Sequence, residues 1–189
     1  MPQKGYVNKI INEQLYDEDI FAILRAADEI IARGGRTLLA KILKGSREKK
    51  VLELGLNDCP SYGYYKLFSL EQIVNKIDWM IYNDFLEIQF SGKLPMIVFT
   101  ERGWSIERAR MAEELLQEWD AWLAQGKSDI DMSYLKDRNR GMILMFLDKI
   151  KQTGNLKYIQ LLRLWEKIEY KKVKQEIRDT VCQLERSLH

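Results

Sequence analysis

The sequence predicts a mainly α-helical chain with one small β-hairpin, and three observations lead there. Apolar residues recur at helical spacing along most of the 189 residues. One stretch, 85–100, breaks that rhythm: Phe85 to Phe90 alternates, and Met96 to Thr100 is a continuous apolar run. Turn formers at Gly34-Gly35, Gly45-Ser46 and Gly154-Asn155 cut the helical pattern into short segments.

The elements follow in order. Residues 1–16 read as an arm or short helix. Asp17 caps a helix whose inner face is Ile20, Ile23, Leu24, Ala27, Ile30 and Ile31, stopped by Gly34-Gly35. Thr37 to Leu43 forms a second helix, ended by Gly45-Ser46, and Arg47 to Leu54 adds a turn or two. Residues 55–68 hold Gly, Asn, Asp and Pro and read as a loop. Ser69 with Gln72 makes a capping box for a helix with Leu70, Ile73, Val74, Ile77 and Ile81 inward. The hairpin comes next, with Ser91 to Pro95 as a five-residue loop. Three helices and a hairpin form a winged helix-turn-helix. A helix over 105–124 closes this domain, expected at 17–124. The polar stretch 125–130 reads as a linker. Residues 131–189 read as a module of three helices, 131–152, 156–166 and 170–188.

Composition excludes several function classes. Hydrophobic residues make up 46% and charged residues 31%, an ordinary soluble composition. No apolar run approaches the ~18 residues of a membrane span, and the start lacks a signal-peptide core, so a cytoplasmic protein without membrane contact is expected. Cys59 and Cys182 give neither a disulfide framework nor a zinc motif. The single histidine is the terminal His189. That removes His-based acid–base chemistry and most transition-metal sites, so no enzyme activity, metal or cofactor is expected.

Charge is concentrated. The net charge is only +2, yet residues 33–50 hold seven Lys or Arg and one acid, Glu48. Arg36, Lys41, Lys44, Arg47, Lys49 and Lys50, with Ser46 in the Gly-Ser turn and Lys66 beyond it, suit backbone phosphates. If Lys44, Arg47, Lys49, Lys50 and Lys66 all engaged a duplex, the slope of log K against log salt would be about −4 to −5. Tyr62, Tyr64 and Tyr65 are either base-stacking platforms or cover for the core beneath the loop. The helix from Ser69 offers Glu71, Gln72, Asn75, Lys76, Asp78 and Trp79 outward, a poor reader of base edges. Discrimination, if any, is therefore expected for DNA shape, and Lys93, Leu94 and Pro95 are either a wing tip against a duplex end or a plain hairpin turn with an exposed leucine.

Four pieces resemble the RQC domain, the winged-helix module of RecQ-family helicases. They are Leu39-Ala-Lys-Ile-Leu-Lys-Gly-Ser-Arg47, Tyr62-Gly-Tyr-Tyr-Lys66, the helix from Ser69 to Asn83, and Phe99-Thr-Glu-Arg-Gly103. The resemblance implies binding to duplex, forked or junction DNA, with Lys44, Ser46 and Lys66 matching positions that touch phosphates. It also implies a wing that probes a duplex end. No Walker loop or Asp-Glu-x-His box occurs, so the chain resembles a stand-alone member without a motor. The C-terminal helices faintly resemble a HEAT-like repeat. They keep open a rival reading, an adaptor that binds a protein partner or itself through 131–189.

Overall fold

Asp17, Glu18 and Asp19 occupy the first turn of helix α1 (Asp17–Asp28), where the helix dipole favours negative charge. The computed structural model describes residues 14–136 and 138–186, so the expected arm at 1–16 lies, up to residue 13, outside them. Helix α1 buries Ile20, Ile23, Leu24 and Ala27. It stops at Asp28, short of Ile31, because Ala32 turns the chain with φ of 56°. The turn has a use: Ala32 N–H donates to Ile97 O at 3.0 Å, and Ile97 N–H donates to Gly34 O at 2.8 Å.

Helices α2 (Arg36–Lys44) and α3 (Lys49–Glu53) flank the Gly45-Ser46 break. A 3-10 turn at Leu56–Asp58 and a run of turns lead to α4 (Leu70–Tyr82). Its predicted capping box is present: Gln72 N–H donates to Ser69 Oγ at 3.2 Å, and Ser69 N–H donates to Gln72 Oε1 at 2.8 Å. Lys76, read from sequence as outward, is buried instead, with its ammonium 5.5 and 5.3 Å from the ring centres of Tyr65 and Phe68. The aromatic faces offset part of the cost of desolvating the charge.

Strands β1 (Leu86–Ser91) and β2 (Leu94–Phe99) pair antiparallel, with Phe90 opposite Pro95 and Ser91 opposite Leu94. The connection is two residues, Gly92-Lys93, shorter than the expected five. Gly92 takes φ of 63° while Lys93 stays at negative φ, the pattern of a II′ hairpin turn. Helices α1, α2 and α4 share one core, and the hairpin completes the winged helix.

Helix α5 (Glu101–Ala124) begins four residues earlier than its periodicity suggests. Thr100 Oγ1 accepts from Gly103 N–H at 3.1 Å and donates to Asp84 O at 2.6 Å. Arg102 donates to Asn83 O at 2.9 Å and lies 3.9 Å from the centre of the Phe85 ring. Gly103 sits so close to this turn that a Cβ would lie 2.0 Å from Phe85 O. Further along, Arg25 Nε donates to Glu107 Oε1 at 2.5 Å, a buried pair that ties α1 to α5.

The chain divides into two compact units, 1–107 and 108–189, so the boundary falls inside α5. In the second unit the core is Trp119, Phe146, Tyr158 and Trp165 with Leu and Ile from α6 (Arg140–Thr153), α7 (Tyr158–Ile168) and α8 (Lys171–Arg186). The helix expected from residue 131 is split. Met132–Leu135 forms a 3-10 turn, and Asn139 starts α6 by accepting the N–H of Gly141 at 2.7 Å. Two buried polar groups are satisfied locally: Trp119 Nε1 donates to Tyr134 OH at 2.9 Å, and Tyr158 OH donates to Asp120. Burial pushes both tyrosine hydroxyls well above their usual range, with Asp120 adding to the shift at Tyr158. No helix among the described residues is long and apolar enough to cross a membrane.

Two substitutions should move stability in opposite directions. Gly103→Ala must displace the Phe85 carbonyl and should cost about 1–3 kcal/mol or more. Ala32→Gly relieves a left-handed alanine and should gain about 1 kcal/mol. Urea unfolding, with amide exchange in α1 and α4 as the local readout, checks both signs.

Candidate nucleic-acid interface

The C-terminal end of α2 is where the sequence-predicted site residues come together. Gly45, at φ of 76°, closes the helix: its N–H donates to Ile42 O at 2.9 Å, and Ser46 N–H donates to Lys41 O at 2.9 Å. The Tyr-Gly-Tyr-Tyr-Lys loop docks on carbonyls of the same helix end. Gly63 N–H donates to Ile42 O at 3.0 Å, and Tyr65 N–H donates to Leu43 O at 2.8 Å. A Cβ on Gly45 would lie 3.0 Å from Gly63 Cα, so the Gly45 side of this backbone contact has little room for a side chain.

That docking decides what each candidate residue is free to do. Lys44 Nζ donates to Lys66 O and to Phe68 O, each at 2.7 Å, so most of its donors hold the loop. Ser46 Oγ accepts the N–H of Glu48 at 3.2 Å at the start of α3. Lys41 is paired with Glu48 at 2.6 Å, Arg36 with Asp78, and Lys49 loosely with Glu53 at 3.5 Å. Arg47, Lys50 and Lys66 are exposed and their side chains have no protein partner among the described residues. An exposed pair contributes little and yields readily to a phosphate, so Lys41, Arg36 and Lys49 stay available at some cost.

The three tyrosines face other tasks. Tyr65 is buried, and its hydroxyl donates to Asp19 at 2.6 Å. Tyr62 is half-buried and donates to Ser46 O at 3.0 Å. Tyr64 is exposed, but burial of its ring edge and the nearby carboxylates of Asp19 and Glu18 raise its hydroxyl pKa. Its surroundings are therefore negative, which opposes the approach of a phosphate.

Towards the wing, a groove of about 330 Å³ lies between the start of α2 and the hairpin. Arg36, Thr37, Leu38 and Lys50 line one side, and Ile88, Pro95, Met96 and Ile97 the other. The basic residues thus run from the Gly45–Gly63 contact along α3 to the foot of the wing. At the tip Lys93 is exposed and unpaired among the described residues, and Leu94 is exposed. Phe90 stands beside them, 71% exposed, across from Pro95. Sequence reasoning missed Phe90 because a five-residue loop ends the strand before the tip. The Gly-x signal of a two-residue turn at Gly92-Lys93 would have placed it there.

The charge of residues 1–107 is segregated. Outside 33–50 they hold seven Lys or Arg and fourteen Asp or Glu, so the basic strip lies on an otherwise acidic unit.

Comparison with known proteins matches the family described as RQC domain over residues 16–118. An 80-residue stretch is 32% identical to the ATP-dependent DNA helicase RecQ of Bacillus subtilis (strain 168), covering 42% of this chain and 13% of that protein. The chain thus spans a small part of that relative's length. No solved structure matches.

Lys44 and Lys66 should separate in a stability assay without any ligand. Lys44→Ala should speed amide exchange over 64–68 and cost about 1 kcal/mol, since two carbonyls lose a charged donor. Lys66→Ala should stay within about 0.5 kcal/mol of the parent.

Proposed function

This chain belongs to the RQC domain family, and we propose that it is a non-enzymatic DNA-binding protein that grips duplex or branched DNA through backbone phosphates. The observation that carries this reading is the line of cations left unpaired among the described residues, Lys66, Arg47 and Lys50, leading into the groove at the foot of the wing. Cations with no internal partner release counterions when they meet phosphates, and that release drives binding without regard to base sequence. Lys44 supports the strip from behind by holding the 66–68 backbone in place.

The wing supplies discrimination in this reading. Phe90 and Pro95 make one face of the tip apolar, and Leu94 emerges on the other. An exposed aromatic beside a tight turn is suited to press on the terminal pair of a duplex, where an unstacked base costs least. Helix α4 is a poor reader of the major groove, because Asp78 is used by Arg36 and Lys76 is buried. Preference should therefore follow the form of the DNA, with forks and junctions favoured over uniform duplex, and a place in repair or replication fits that preference.

Binding to labelled blunt and forked duplexes, measured across a salt series, tests the reading. Arg47, Lys50 and Lys66 together should contribute a slope of about −3, and charge reversal at all three should remove it for every sequence alike. A salt-insensitive signal, or none at low salt, would sink the proposal. Phe90→Ala should leave stability unchanged and reduce the preference for forked over blunt DNA severalfold.

A further inference from the structure

The excess positive charge of the chain is not where its densest basic segment lies. Residues 1–107 hold 14 Lys or Arg against 15 Asp or Glu, whereas residues 108–189 hold 16 against 13. In this second unit one region stands out. Lys171, Lys172 and Lys174 fill the start of α8, with no acid in its first turn, and none of the three has an ion pair among the described residues. Cations there oppose the helix dipole, so helix stability does not explain them.

Lys136, Arg138 and Arg140 add to the same surface. The Lys136 ammonium lies 5.1 Å from the centre of the Tyr170 ring, and Arg140 reaches Glu176 at 3.8 Å. Arg138 Nε donates to Tyr134 O at 3.0 Å, and its side chain is exposed. The nearby acids are few. Glu169 is buried and accepts from Trp165 Nε1 and from Tyr170 N–H, Glu176 meets Arg140, and the chain also holds Asp137. By contrast, Arg163 and Arg178 on the neighbouring turns are both engaged by Glu166, whose carboxyl they hold below the usual range.

Tyr170 completes the surface. It is 58% exposed and the only large hydrophobic exposed among the described residues of the second unit. An interface for a protein partner normally centres on a buried apolar cluster, which the described residues of this unit do not offer. Six cations on two segments that meet where Lys136 reaches the exposed Tyr170 ring are instead the elements of a groove for single-stranded nucleic acid, where cations track the backbone and a ring stacks an unpaired base.

We propose that Lys136, Arg138, Arg140, Lys171, Lys172 and Lys174, with Tyr170, form a second nucleic-acid site that takes a single DNA strand. This site lies on different residues from the strip on the winged helix and stands or falls separately from it. A duplex presents phosphates but no unpaired base, so Tyr170 has a partner only on a single strand.

The test uses the full chain with labelled 15-nucleotide oligothymidine and a 15-base-pair blunt duplex. K171Q/K172Q/K174Q should weaken oligothymidine binding about tenfold and flatten its salt slope by about 2, at ~0.7 per single-strand phosphate contact. The same charge change at K127Q/K157Q/K167Q should leave it within about twofold. Tyr170→Ala should weaken strand binding severalfold with the slope unchanged, because stacking releases no counterions. In the parent chain, oligothymidine should protect Lys171, Lys172 and Lys174 from acetylation, a result that needs no variant to fold. Unchanged strand binding in the first variant, equal loss in the control, or equal loss on duplex and strand overturns the proposal. So does a loss confined to phosphatidylglycerol vesicles. If the Arg47, Lys50 and Lys66 reversal abolishes duplex binding while the α8 variant binds strands normally, the winged-helix reading stands and this one fails. The opposite pattern leaves the α8 site standing and removes the winged-helix one.

Discussion

The close approach of Gly45 to Gly63 is the constraint on which the first unit depends. It lets one loop donate to the last carbonyls of α2, a second bond to Ile42 O beside that from Gly45 N–H and one to Leu43 O. From that contact the loop continues with Tyr65, which enters the core and hydrogen-bonds Asp19 on α1 while its ring meets Lys76 on α4. Three helices are thus joined through one residue, and its position follows from two glycines. A Cβ at Gly45 would press on the Gly63 backbone, whereas at Gly63 the cost of a side chain is the left-handed φ of 73°.

A second contact does for the wing what the first does for the helices. Thr100, Arg102 and Gly103 lock onto the turn at Asn83–Phe85, fixing the root of the hairpin. Ala32 and Gly34 hold β2 through Ile97 from the other side. The tip is left out of these contacts, so its exposed Phe90 and Leu94 cost the fold nothing. The motifs that carry the family resemblance are therefore mostly devices for holding the fold. Arg47, Lys50 and Lys66, the cations on which the proposed DNA contact rests, are side chains that the fold does not use.

Much of this was legible in the sequence. Periodicity placed α1, α2, α4 and the hairpin, and capping fixed the ends of α2 and α4, because these rest on contacts within a few residues: Ser69 with Gln72, or Gly45 with Ile42. The cap expected at Asp17 falls instead on Tyr16, with Asp17 in the first turn of α1. The split between Leu135 and Arg140 was overlooked although 136–140 are all polar, because Leu135 and Met142 keep a seven-residue spacing across it; Asp131 and Asn139 cap separate elements. The burial of Lys76 was hidden for a similar reason. Its partners, Tyr65 and Phe68, come from a loop whose path no local pattern specifies.

By itself, then, the sequence determined a mainly helical chain with a wing and a basic Gly-Ser segment, because composition and short-range spacing decide such features. Only the tertiary structure decided which charges are engaged and which are free. Lys44 looks in sequence like its neighbours, but carbonyls twenty-two and twenty-four residues away claim its ammonium. Lys171, Lys172 and Lys174 look in sequence like a solvated helix face; folding brings Lys136 to the ring of the adjoining Tyr170 and pairs none of the three with a carboxylate among the described residues. The pairing of a charge depends on what folding brings within a few ångströms, and sequence spacing does not record that distance.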